Sequence, residues 1–103
     1  ESRDFIYIDD LIQAILAVAL KGDFKGQGIN VANGREVCIK DCVKIFYDLF
    51  EEPVNYKFSQ QTKKGDPNNW VADISLLKSL GYKQKHSLEE GLENYYRWLG
   101  SIE

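Results

Sequence analysis

The chain holds 103 residues, 44 % hydrophobic and 13 % aromatic, with 13 Lys and Arg against 16 Asp and Glu. That is enough for one domain and too little for two, and its apolar content excludes disorder for the body of the chain. A net charge of −3 argues against a general nucleic-acid binder, which needs a basic face.

Residues 4–8 (DFIYI) predict a short strand, after which Asp9 or Asp10 can cap a helix. Residues 11–20 (LIQAILAVAL) are apolar at every position but Gln13, so this helix has no polar face and needs cover on most sides. Gly22 and Gly26 close it off. Residues 28–32 (GINVA) read as a second buried strand ended by Asn33-Gly34. Strand, helix and strand in this order predict a right-handed parallel crossover. Residues 39–50 are amphipathic, with Ile39, Cys42, Val43, Phe46, Leu49 and Phe50 on one face. Cys38 stands where Ser or Thr would form a capping box with Asp41, so that cap is weak. Beyond Pro53, residues 54–58 alternate like a third strand, and residues 59–69 read as a loop. Asp73 caps a short helix over 74–80, stopped by Gly81. Ser87 and Glu90 form a capping box for a last helix with the stripe Leu88, Leu92, Tyr95, Tyr96 and Leu99.

A chain this small rarely surrounds a helix that is apolar all round, so the missing cover is expected from a partner or from more chain. The opening ESRDFIYIDD enters an apolar segment within a few residues, and the sequence has no Met, which suggests a piece of a longer protein. No apolar run reaches the ~18 residues of a membrane span, and no signal-peptide pattern opens the chain. Cys38 and Cys42 are spaced unlike C-x-x-C, and His86 alone supplies no second set of metal ligands. Two buried or half-buried free thiols in a reducing cytosol are expected.

No self-contained active site emerges. No Tyr precedes a Lys by four, and the glycines make no G-x-G-x-x-G fingerprint. His86 directly precedes the capping box and reads as a surface histidine at a helix start. The remaining candidates bind anions. Arg3 beside a strand offers a fork of donors suited to a diphosphate. Lys63 and Lys64 precede Gly65, where they can approach phosphate oxygens, and Asp66 can accept from a sugar hydroxyl. A solvated basic loop and a surface arginine are the plainer reading.

The order of segments adds more than any one residue. Residues 3–11 (RDFIYIDDL) resemble the R-D-F/Y-I-x-V-x-D-L signature of the extended short-chain dehydrogenase/reductases. Residues 28–34 (GINVANG) are similar to that family's G-x-x-Y-N-x-G segment. Residues 63–66 (KKGD), 71–75 (VADIS), 80–82 (LGY) and 87–92 (SLEEGL) follow in the family's order. The resemblance spans nearly the whole chain.

It implies an α/β fold: the C-terminal, substrate-binding portion of such an enzyme, over residues 1–103, with short parallel strands and about four helices. One strand-helix unit would pack on an N-terminal NAD-binding Rossmann domain that this sequence lacks. It implies an NAD(P)-dependent epimerase of nucleotide-diphosphate sugars, most readily a UDP-hexose 4-epimerase. A 4,6-dehydratase or reductase, or a non-catalytic relative serving as an interaction module, are the alternatives. By position, Arg3 would contact the diphosphate, and Lys63 stands for a second diphosphate arginine without its fork, with Lys64 a possible substitute. Asp66 would lie at the ribose edge or hold the loop. Trp70 would line the pocket or else serve as a core residue beside a strand. No catalytic, cofactor-binding or metal residue is expected in this chain, so NAD(P) would be held by the rest of the enzyme. A cytoplasmic setting and self-association, or exchange of the strand-helix unit between copies, are further expectations, with neither nucleic acid nor membrane as partner.

Overall fold

In the computed structural model, residues 1–59, 64, 65 and 68–102 are described. The apolar run forms helix α1 (Ile8–Lys21), which begins earlier than its Leu-rich part because the Leu11 amide already donates to the Tyr7 carbonyl at 2.9 Å. Tyr7 is the extended N-cap residue and contributes no side-chain cap. The capping role expected of Asp9 or Asp10 is therefore corrected. Both lie inside the first turn, where carboxylates favour the positive end of the helix dipole.

Asp10 instead reaches across the chain. It is 1 % exposed, and its carboxylate accepts from the Lys85 amide at 3.3 Å and the His86 amide at 3.0 Å, with His86 Nδ1 at 2.9 Å. Three donors are what make a buried carboxylate tolerable. The His86 ring lies 4.9 Å from that of Tyr7, and Tyr7 packs against the last helix, Leu88–Ser101. A Cβ at buried Gly91 would sit 3.1 Å from Tyr7 Cδ1, so glycine is what lets this helix approach so closely.

The remaining elements are β1 (Ser2–Arg3), β2 (Val37–Cys38), α2 (Ile39–Tyr47), α3 (Ser75–Ser79) and α4 (Leu88–Ser101). The two strands pair antiparallel, Ser2 opposite Cys38 and Arg3 opposite Val37, and the Ile39 amide extends the pairing to the Glu1 carbonyl at 3.0 Å. This corrects the parallel crossover. Residues 4–7 leave the ladder to enter α1, and residues 28–32 pair with no strand among the described residues. Residues 54–58 likewise form no strand. Their rings pack instead, Tyr56 stacked on Tyr47 at 5.0 Å and Phe58 edge-on to Tyr56 at 5.8 Å.

α2 and α4 behave as their stripes foretell. α2 starts at Cys38 without a side-chain cap, and Phe46 meets Tyr95 and Tyr96 of α4 at 5.7 and 6.4 Å. Ser87 caps α4 by accepting from the Glu90 amide at 3.1 Å, while its hydroxyl donates to the Glu90 carboxylate. Asp73 does not cap α3 directly; its carboxylate accepts from the Ser75 amide at 3.0 Å in a turn just before it. Those bonds from Ser75 hold the Asp73 carboxyl below its usual range. Cys42 is half-buried, and burial pushes its thiol up, whereas Cys38 is exposed, contrary to expectation.

The main core gathers Ala14, Ala32, Ile74, Leu77 and Tyr82, with Ile6, Val18, Ile29, Val31 and Ala72 around it. It is small. The radius of gyration is 16.2 Å, where a compact chain of this length has about 13 Å. No helix among the described residues is long and apolar enough to cross a membrane.

The hydrogen bond to Asp10 holds the His86 imidazole above its ordinary pKa, with Asp9 and Glu90 adding to it. A raised folded-state value gives a contribution that is full below the unfolded pKa and lost as pH rises through the folded one. By circular dichroism the thermal midpoint should therefore fall as pH rises above the ordinary histidine value of about 6.5, and His86→Gln should flatten that slope. Equal slopes in the two proteins would show that the pair does not titrate with folding.

Candidate functional site

β1 delivers Arg3 and then Asp4 to the junction of three segments. Asp4 Oδ1 accepts from the Asn33 amide at 3.0 Å, and Oδ2 accepts from the Gly34 amide at 2.8 Å and the Ala72 amide at 3.1 Å. The Asn33 side chain extends the clasp, donating through Nδ2 to the Phe5 carbonyl at 3.0 Å and accepting from the Tyr82 hydroxyl at 2.5 Å. Tyr82 is buried, and burial, aided by the charges of Asp10 and Asp4, pushes its pKa up to about 12. It stays a donor throughout the working pH range. Gly34 has φ of 72°, the left-handed conformation the predicted Asn-Gly turn requires, and sits close against Ile74.

Between these segments lies an open cleft of about 260 Å³, lined by Arg3, Asp4, Asn30, Val31, Ala32, Trp70 and Ala72. One wall is fixed by the Ser2 amide, which donates to the Asn68 carbonyl at 2.8 Å. Another is fixed by Asn30, whose Nδ2 donates to the Asp73 carbonyl at 3.1 Å. Arg3 is held without being consumed. Its Nη1 donates to the Ser2 carbonyl at 2.6 Å, its Nη2 lies 3.7 Å from the Glu1 carboxylate, and the side chain is 27 % exposed. A guanidinium has five N–H donors, more than these two contacts use. The Asp4 charge beside it is already engaged by three amides.

The structure thus brings Arg3 and Trp70 to one cleft. Trp70 is 56 % exposed and lines the cleft, outside the core that the described residues form. Lys64 is exposed, in a turn with Gly65, and does not line the cleft. Lys63 and Asp66 lie outside the described residues. Sequence reasoning missed Asp4, Asn30 and Asn33 as builders of this site. The Asn33-Gly34 turn was visible, but nothing in its spacing pointed to a carboxylate 29 residues away.

A second cavity, about 290 Å³ and mostly apolar, lies between residues 5–8, α2 and α4, with Phe5, Leu88, Leu92 and Tyr95 in its wall and Arg35 at its edge. No group of His, Cys, Asp and Glu among the described residues could hold a metal ion. Neither helix that follows a strand starts on a glycine turn, since Tyr7 precedes α1 and Cys38 precedes α2. These residues therefore do not fit the pyrophosphate of a dinucleotide cofactor.

Compared with known proteins, the chain is 33 % identical over 103 residues to an uncharacterized UDP-glucose epimerase of Bacillus subtilis, covering 99 % of this chain and 32 % of that protein. It is 35 % identical over 100 residues to a putative GDP-L-fucose synthase 2 of Arabidopsis thaliana, covering 93 % and 29 %. It is 30 % identical over 102 residues to a dTDP-L-rhamnose 4-epimerase of Burkholderia thailandensis, covering 95 % and 27 %. The chain spans about a third of the length of these curated relatives. No family model and no solved structure matches it.

Because the Asp4 carboxylate satisfies three amides that have no ladder partner, Asp4→Ala should cost about 2–4 kcal/mol in urea unfolding. Tyr82→Phe should cost only about 1 kcal/mol, the loss of one neutral hydrogen bond. A larger loss for Tyr82→Phe than for Asp4→Ala would mean that the clasp is not what joins the segments.

Proposed function

Since the chain belongs to the extended short-chain dehydrogenase/reductase family of nucleotide-sugar epimerases and dehydratases, we propose that it binds a nucleotide-diphosphate sugar through the cleft at Arg3. The observation that carries this reading is the pairing, in one cleft, of a half-buried guanidinium and an exposed indole. A guanidinium fork suits the oxygens of a diphosphate, and an aromatic face suits a sugar or base ring. Asn30 and the Asp4 clasp supply the rigid wall that holds the two at a fixed separation.

In this reading residues 1–103 position the substrate, and the chemistry belongs to a further domain of a longer polypeptide, which would hold NAD(P). That cofactor would take a hydride from the sugar and return it. The contribution of this chain is orientation, which lowers the barrier by removing freedom from the bound sugar and touches no reacting atom. Lys63, Lys64 and Asp66 remain candidates for the nucleotide side of the site. A UDP-hexose 4-epimerase is the form we favour, because the Bacillus subtilis relative is described as a UDP-glucose epimerase. The Arabidopsis thaliana and Burkholderia thailandensis relatives carry GDP and dTDP in theirs, so the choice of base is what a titration must decide.

The test is calorimetric titration of the 103-residue protein with UDP-glucose, GDP-mannose, dTDP-glucose and inorganic phosphate. Saturable binding is expected for the nucleotide sugars, strongest for UDP-glucose. Arg3→Ala should weaken it by about 1.5–3 kcal/mol, roughly 10- to 150-fold. Trp70→Ala should weaken it as well. Unchanged affinity in Arg3→Ala would reject the diphosphate assignment, and a stronger response to GDP-mannose or dTDP-glucose would reject the UDP form of the reading.

A further inference from the structure

Arg3 and Trp70 each stand between two anchors, and one pair of residues supplies both. Ser2 and Asp4 flank Arg3 in the chain. Their partners flank Trp70. The Ser2 amide donates to the Asn68 carbonyl at 2.8 Å, the Ser2 hydroxyl lies 3.2 Å from Asn69 Oδ1, and the Ala72 amide donates to Asp4 Oδ2 at 3.1 Å. Residues 68–72 belong to no helix or strand, and the Trp70 indole makes no hydrogen bond or ring contact of its own among the described residues. Its place beside Arg3 therefore depends on these anchors. The Asp4 anchor is a carboxylate that three amides share. The Ser2 anchor adds something the strand does not need. Ser2 is 1 % exposed, and its pairing with Cys38 uses backbone alone, which an alanine would serve equally well. The hydroxyl instead donates to the carboxylate of Glu36, an exposed residue just before β2, and reaches Asn69 as a second acceptor. A buried hydroxyl needs such partners, and these two belong to the segments on either side of the cleft.

We propose that Ser2 is a positioning residue of the cleft: its buried hydroxyl, shared between Glu36 and Asn69, fixes residues 68–70 and so holds Trp70 beside Arg3. This rests on the nucleotide-sugar reading of the cleft, in which Ser2 touches no part of the ligand. A ring held in place before binding loses less freedom on binding. The hydroxyl therefore raises affinity for a ligand that uses the indole and leaves unaltered the affinity for one that uses only the guanidinium. Glu36 belongs to the same device, since a charged acceptor makes the stronger bond to the hydroxyl.

The test uses the 103-residue protein with Trp98→Phe, which leaves Trp70 as its one tryptophan. Ser2→Ala should lower the fluorescence anisotropy of Trp70 and raise its quenching by acrylamide, while circular dichroism keeps its helical amplitude. Glu36→Ala, at an exposed position, should do the same, and it decides the outcome if Ser2→Ala fails to fold. Glu36→Gln keeps an acceptor for the hydroxyl and should restore the anisotropy. In calorimetric titration Ser2→Ala should lose about 5- to 10-fold in affinity for UDP-glucose, with inorganic pyrophosphate, which meets Arg3 alone, unchanged. Once Trp70 is replaced by alanine, Ser2→Ala should cost nothing further. Unchanged anisotropy in both Ser2→Ala and Glu36→Ala overturns the proposal. An equal loss of pyrophosphate binding overturns it too, since the hydroxyl would then support the whole cleft. A starting protein that binds no UDP-glucose overturns the nucleotide-sugar reading instead, and the anisotropy still decides whether Ser2 fixes the indole.

Discussion

The carboxylate of Asp4 decides where three separated stretches of this chain lie. Residues 4–6, 29–34 and 72–74 meet without a sheet between them among the described residues, so their amides lack the partners a ladder would give. Asp4 supplies those partners itself, taking the amides of Asn33, Gly34 and Ala72. Hydrogen bonds to an ionised acceptor are about twice as strong as neutral ones, and here a single side chain gathers three. The two-residue strands β1 and β2 could not hold such a junction alone. The same arrangement shapes the cleft: with no continuous sheet across it, the edge of β1 stays open and the Arg3 guanidinium reaches solvent.

Asp10 repeats the device farther along. Six residues after Asp4, it ties the start of α1 to residues 85 and 86 and so to the cap of α4. The two aspartates between them join the N-terminal ten residues to residues 33, 34, 72, 85 and 86, while α2 docks through its aromatic contacts with α4. Both bonds are short-ranged and at least partly shielded from water. Salt should therefore weaken them far less than the exposed pairs Lys44–Asp48 and Arg97–Glu93, which are helix-surface contacts of small worth.

The helices were legible because their signal is local. The stripe from Leu88 to Leu99 and the Ser87–Glu90 box lie within one stretch of sequence, and α4 forms where they say. The same holds for α2 and its uncapped start at Cys38. Strands were not legible, because a strand is a relation between two segments. Residues 4–8, 28–32 and 54–58 have strand composition, yet none finds a ladder partner among the described residues. The site divides along the same line. Arg3 could be named as a candidate from its place beside a strand and Trp70 from the order of motifs, whereas Asp4–Ala72, Tyr82–Asn33 and His86–Asp10 join residues 68, 49 and 76 apart, which no periodicity encodes.

The uncovered face of α1 follows from size and composition together. A helix apolar at nine positions in ten between residues 11 and 20 needs neighbours on nearly all sides, and a chain of 103 residues has few to give. The core takes Ala14 and Val18, small or branched side chains that let residues 29–32 and α3 come close, and the long side chains Ile12, Ile15, Leu16 and Leu20 are left outside. Placing the larger apolar residues outward is opposite to what a free-standing surface helix does, where the polar face meets water. The sequence of α1 is therefore suited to two apolar contacts at once, one with its own chain and one beyond it.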